Sequence, residues 1–166
     1  MKKIKSLESV LTFHDDVVIK TFTKEYFQIN EKLERHGEVF WYENLRGTCF
    51  LEPLETHETH IVLPLIGKPV GDDLGLDNLT RREAILLINW LTKLRGELER
   101  NSVVHHDIHP GNILRDGDDY KLIDMAWMQW SHEPTRCLDY MNLEYSLNDD
   151  RSIMQLFCQL ERMLKS

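Results

Sequence analysis

Between Met1 and Lys20 the chain has no glycine. That absence excludes from this stretch the glycine-rich turn that brings bare backbone N–H groups against a phosphate. Cysteine is scarce as well. Cys49, Cys137 and Cys158 are odd in number and widely spaced, so neither a disulfide framework nor a zinc cluster is suggested. No run approaches the roughly 18 apolar residues of a membrane span, and the basic start "MKKIKSLESV" has no apolar stretch after it, so it does not read as a secretory signal. Positive charge is the minority sign: 20 Lys and Arg stand against 28 Asp and Glu, a formal net charge of −8. That balance argues against nucleic acid or an anionic membrane as a partner. The expectation is a soluble protein of a reducing, cytoplasmic compartment.

What is present is an ordinary globular composition, 42% hydrophobic and 29% charged over 166 residues, enough for one domain with a real core. "SVLTFHDDVVIKTF" (9–22) reads as two short strands around a His14-Asp15-Asp16 turn. From Thr23 to about Leu45 the pattern is helical, with an interruption near Gly37. Residues 47–71 suit a hairpin and an extended connector, in which Gly67, Pro69 and Gly71 stop further regular structure. The clearest helix starts at Thr80, where Thr80 and Glu83 form a capping box. Ala84, Leu87, Ile88, Leu91, Leu94 and Leu98 then recur on one face. "NILRDGDDYKLID" reads as a hairpin turning at Asp116-Gly117. A last helix begins near Asp149 or Asp150 and buries Ile153, Leu156, Phe157, Leu160 and Leu164. Strands and a helix come first, then a mainly helical half, which reads as a two-lobed α+β chain.

The chemistry concentrates in "VVHHDIHPGN" (103–112). One reading is a metal held by His105, His106, Asp107 and His109. Adjacent histidines in an extended segment point to opposite sides, however, and His57 and His60 in "THETH" lack the i, i+4 spacing of a metalloprotease helix. The other reading gives the chemistry to an aspartate and leaves the remaining residues to shape the loop.

"HHDIHPGNIL…YKLID" resembles the catalytic loop and metal-binding aspartate of the protein-kinase-like superfamily. Its D-x-H-P-G-N wording is closest to the aminoglycoside and choline kinase, lipopolysaccharide kinase and Rio-like branches. The resemblance implies a fold with a reduced amino-terminal lobe (1–66, an antiparallel sheet and one main helix), a hinge (67–71) and a short, mainly helical carboxy-terminal lobe (72–166). It implies that Asp107 is the base for an acceptor hydroxyl, and that Asn112 and Asp124 are oxygen ligands to Mg²⁺ bound with ATP. Pro110 and Gly111 shape the turn between them. "VVIK" (17–20) resembles the family's lysine-bearing strand, so Lys20 is the candidate for the α- and β-phosphates. Among Glu25, Glu31, Glu34 and Glu38 as its partner, Glu38 is chosen, because Trp41, Tyr42 and Leu45 follow at +3, +4 and +7. "HIVLPLIGKPVG" (60–71) resembles the last strand and hinge, with the backbone at Leu63 and Leu65 facing the adenine edge and Val10 covering the base. Asp139, in "CLDYMNLEY", is either the buried anchor of the catalytic loop or a surface helix cap.

Three features depart from the family: no Gly-rich loop precedes Lys20, His106 stands where arginine is usual, and there is no A-P-E segment. Two functions follow. One is an ATP- and Mg²⁺-dependent kinase; the other is a pseudokinase-like binding module that keeps the fold. For the kinase, a protein Ser/Thr acceptor is expected ahead of a small molecule or a lipopolysaccharide sugar. A macromolecule brings its hydroxyl on its own surface, and only Trp127, Met128, Trp130 and Tyr140 are expected near a cleft mouth.

Overall fold

The computed structural model describes residues 2–72, 75–133 and 149–165. It is an α+β fold. Strands β1 (Lys2–Lys5), β2 (Ser9–Phe13) and β3 (Val17–Phe22) lead into helices α1 (Lys24–Lys32) and α2 (Glu38–Asn44), followed by β4 (Glu55–His57) and β5 (His60–Pro64). These five strands form one antiparallel sheet in the order β1-β2-β3-β5-β4. Its strands show the expected alternation: in β3, Val18, Lys20 and Phe22 are buried while the residues between them are not. β1 was not expected. "KKIK" has one apolar residue and is exposed along its whole length, and its lysines suit an edge strand that must not pair with another chain.

The helical stretch divides into two helices. Thr23 caps α1 by accepting from the Tyr26 N–H, and Gly37 begins α2. Glycine is required there by space: a Cβ at residue 37 would lie 2.7 Å from the Tyr26 hydroxyl oxygen.

The second half begins with β6 (Lys68–Pro69), β7 (Gly71–Asp72) and β8 (Gly75–Leu76). The Gly67–Gly71 segment was expected to be irregular, yet Lys68 and Pro69 pair with Arg115 and Leu114 of β10 (Ile113–Asp116). Proline is tolerated because this strand is an edge. Helix α3 (Arg81–Asn101) carries the full Thr80–Glu83 capping box. It buries Ala84, Leu87, Leu91, Leu94 and Leu98 as the spacing requires. After β9 (Val103–Val104), β10 turns at Gly117 (φ +62°) into β11 (Asp119–Leu122). β12 (Gln129–Trp130) returns to pair with β9, and α4 (Asp149–Lys165) packs on α3.

Two devices join the halves. The Leu122 N–H donates to the Cys49 carbonyl, and the Leu51 N–H donates to the Leu122 carbonyl. The buried Glu97 carboxylate accepts the Thr48 and Cys49 N–H groups at 3.1 and 2.8 Å. One hydrophobic core therefore runs from Tyr26 and Trp41 to Leu160. Among the described residues no helix is long and apolar enough to cross a membrane.

Candidate functional site

Three residues far apart in sequence meet at the inner end of a cavity of about 530 Å³. The Lys20 ammonium lies 2.7 Å from Glu38 Oε2 and 2.8 Å from Asp124 Oδ1. β3 aims Lys20 inward by its alternation, and α2 brings Glu38 across from behind the sheet. Of the four competing glutamates it is Glu38 that reaches the lysine. Its other oxygen, Oε1, accepts the Met125 N–H at 3.3 Å, which ties α2 to the residue after Asp124.

The electrostatics follow from one cation shared by two carboxylates. Burial pushes Lys20 toward its neutral form, but the charges of Asp124 and Glu38 outweigh it and hold the ammonium protonated. Glu38 is 1% exposed and Asp124 39%. Desolvation pushes Glu38 up to about 7 against the pull of Lys20. Asp124 is desolvated too, yet Lys20 holds its carboxyl below the ordinary value. The more exposed carboxylate keeps its charge more firmly, so Asp124 is the firmer anion in the cavity wall. Its backbone is left-handed, φ +63°, as is that of His106 at φ +67°. Both strained residues flank the site.

The loop between them is held by side chains. Asn112 donates both amide protons to Asp107, to its carbonyl at 3.0 Å and to Oδ2 at 2.9 Å. This fixes the amide and leaves Oδ1 as its acceptor oxygen. His105 is completely buried, and desolvation lowers it to about 4, so it is neutral. Its Nδ1 accepts the Asp107 N–H at 3.3 Å and its Nε2 donates to the Ile123 carbonyl at 3.2 Å. One imidazole thus bridges the loop to the residue before Asp124, just past the end of β11. Both ring nitrogens of His105 are engaged in this way, and among the described residues no three His, Cys, Asp or Glu side chains group together.

The loop's anchor is Asp149, which the sequence did not single out for this role. Its two oxygens accept the buried N–H groups of His105 and His106 at 2.6 and 2.9 Å. Asp139 lies outside the described residues. Desolvation pushes Asp149 up to about 6 although both N–H groups pull the other way. Asp149→Ala orphans two buried donors, and is expected to cost about 1–3 kcal/mol for each. Urea denaturation measures it. Asp149→Asn keeps one acceptor oxygen and is expected to lose roughly half as much.

Two expected contacts are displaced by one residue. Val10 does not line the cavity; Ser9, Leu11 and Phe13 do, because β2 alternates and Val10 falls on the opposite face. Leu63 and Leu65 do line it with their side chains. The Leu65 N–H, however, donates to the Asp16 carbonyl at 2.9 Å, so the backbone of these odd-numbered positions faces β3. The groups that face away are the Pro64 carbonyl and the Ile66 N–H, which bond each other at 3.1 Å. The expected cleft mouth is also largely filled. Met128 is buried, Trp130 packs on Trp41 at 5.0 Å, and Trp127 lies under the Arg35 guanidinium at 4.1 Å. Tyr140 lies outside the described residues.

A smaller nook of about 230 Å³ adjoins Lys20, Glu38 and Asp124 and is roofed by the Ser6–Ser9 turn between β1 and β2. This turn is built by hydroxyls in place of glycines. The Ser6 hydroxyl donates to the Ser9 carbonyl and accepts the Ser9 N–H, and Thr23 donates to the turn's carbonyls, its hydroxyl to Leu7 and its N–H to Glu8. No protein-family model and no curated protein matches the chain.

Proposed function

We propose that this chain is an ATP- and Mg²⁺-dependent phosphotransferase of the protein-kinase-like kind, with an alcohol as acceptor. The observation that carries the reading is the meeting of Lys20, Glu38 and Asp124 at one end of an apolar cavity that also has Asn112 in its wall. Residues chosen by their likeness to a motif need not meet, and a surface lysine has no reason to be buried between two carboxylates. The two-lobed arrangement, with residues 67–71 as hinge, belongs to the same proposal.

The donor set fits the cofactors. Lys20 alone does not balance Glu38, Asp124 and Asp107, so the site favours a further cation. Asp124 and the Asn112 amide oxygen are the hard ligands that would hold Mg²⁺. When bound, Mg²⁺ neutralises charge on the transferring phosphoryl group. Lys20, pinned by Glu38, binds the α- and β-phosphate oxygens. Leu11, Val18, Leu63 and Leu114 enclose the base, and the Pro64 carbonyl and Ile66 N–H meet its edge once they release each other. Asp107, one-third exposed and braced by Asn112, accepts the proton of the incoming hydroxyl. Because Asp107 is open to solvent beside the cavity, a hydroxyl carried on a protein Ser or Thr reaches it without an enclosing pocket. We infer that acceptor ahead of a small molecule or a lipopolysaccharide sugar.

A second reading, a nucleotide-free binding module, is favoured by the phosphate-side turn, whose own hydroxyl and carbonyl take up the Ser9 and Ser6 N–H groups. The test separates the two. ATP with Mg²⁺ is expected to raise the melting temperature of the wild type, and Asp124→Ala is expected to abolish the rise while still folding. No rise in the wild type at millimolar ATP and Mg²⁺ favours the binding module.

A further inference from the structure

The residue that the nucleotide reading leaves unused is Arg35. It sits in the connection between α1 and α2, with its side chain only 7% exposed. A buried guanidinium is costly unless its N–H groups are spent. Arg35 binds elements of three separate regions. Its Nε donates to Asn30 Oδ1 at 2.5 Å, at the end of α1. Its Nη2 lies 3.1 Å from Glu8 Oε2, in the turn that roofs the nook. Its plane stacks on Trp127, three residues beyond Asp124, at 4.1 Å. Nη1 has no hydrogen-bond partner among the described residues.

We propose that the Ser6–Ser9 turn is a lid over the phosphate end of the site and that Arg35, gripping Glu8, is the positioning residue that holds it down. The proposal rests on the nucleotide reading above. A glycine-rich loop closes on phosphate through its own backbone; this turn has no glycine and must be placed by side chains. Thr23 fixes it from one side by binding the Leu7 and Glu8 carbonyls. That leaves the Leu7 and Glu8 N–H groups as the turn's free donors among the described residues, above the nook that Lys20 and Asp124 line. Arg35 fixes it from the other side, and because it also lies on Trp127, the lid, α1 and the segment after Asp124 are set together. The spare Nη1 gives the grip room to tighten: as the turn closes on a ligand, the single contact with Glu8 becomes a bidentate pair. Lysine offers neither the second donor nor the stacking plane.

Two measurements on the full chain test this. The first is hydrogen–deuterium exchange of the Ser6 and Ser9 amides, which the turn's own hydrogen bonds protect, without ligand, in wild type, Arg35→Met, Glu8→Gln and the double variant Glu8→Gln/Arg35→Met. The second is the dissociation constant for the non-hydrolysable analogue AMP-PNP with Mg²⁺. Each single substitution is expected to speed exchange at the turn and to weaken the analogue by roughly five- to tenfold, mostly through faster dissociation, with the double variant little worse than Arg35→Met alone. In turnover the loss is expected in KM more than in kcat. Unchanged exchange in Glu8→Gln overturns the grip whether or not nucleotide binds. Faster exchange with unchanged affinity overturns the lid. A wild type that binds no analogue overturns the nucleotide reading itself, while the exchange result still decides whether Arg35 holds the turn.

Discussion

Asp107→Asn is expected to lower phosphotransfer by roughly 10²–10⁴ while leaving nucleotide binding and the fold in place. The geometry explains why this substitution isolates the chemistry. Asn112 donates to the Asp107 carbonyl and to Oδ2. An asparagine keeps the carbonyl and one side-chain oxygen, so the loop keeps its bracing and loses only the ability to accept a proton. His109 does not replace it in its present tautomer. Its Nδ1 lone pair accepts the Gly111 N–H at 3.2 Å, so the proton sits on Nε2, 3.8 Å from Asp107 Oδ2. Steady-state transfer of labelled phosphate to a mixed protein acceptor, with AMP-PNP affinity as the control, measures the effect. Retained turnover in Asp107→Asn would mean that another group, or no base at all, serves the transfer.

The parts of this architecture that were legible in the sequence are those encoded by neighbours along the chain. Helix α3 announces itself through the Thr80–Glu83 box and the Leu87, Leu91, Leu94 face, because both are set by the pitch of a helix. Glu38 was separable from Glu31 and Glu34 because only its helical neighbours Trp41 and Tyr42 form a buried face. Asp107, Asn112 and Asp124 were singled out by the resemblance of their loop and hairpin to the kinase motif. What escaped depends on register or on distant partners. Val10 and the Leu65 backbone were each displaced by one position: alternation has a period of two, and only the pairing of β2 and β5 with β3 decides which parity faces the cavity. Asp149 was seen as the start of a helix, but its work is done on His105 and His106, 44 and 43 residues away. Nothing local marks it. The Arg35–Glu8 pair, 27 residues apart, is of the same kind.

Lys20 and Glu38 give the other large effect, and here stability is expected to be recovered by a second substitution while activity is not. Lys20→Met removes the cation that lies between two carboxylates, one of them 1% exposed. Breaking a buried pair from one side costs about 3–5 kcal/mol when the partner stays charged. Glu38 has an escape, since burial already pushes it up to about 7 and loss of Lys20 removes the attraction that keeps it ionised. The sign follows. A carboxyl whose folded pKa lies above its ordinary 4.5 contributes stability that is full below 4.5 and is lost as pH rises through about 7. Lys20→Met is therefore expected to be nearly as stable as the wild type at pH 5 and clearly less stable at pH 8. Adding Glu38→Gln removes the stranded charge, so the double variant is expected to regain stability at pH 8. Activity gains nothing from the second change. Glu38 acts only by placing Lys20, and once the ammonium is gone the double variant is expected to be as inactive as Lys20→Met, while Glu38→Gln alone is impaired less. Urea denaturation at the two pH values and kcat/KM on the same four proteins decide the matter. If the losses of stability simply add at pH 8, Glu38 is not the buried partner whose charge Lys20 balances. If the losses of activity add, its carboxylate touches the reaction through some route other than the lysine.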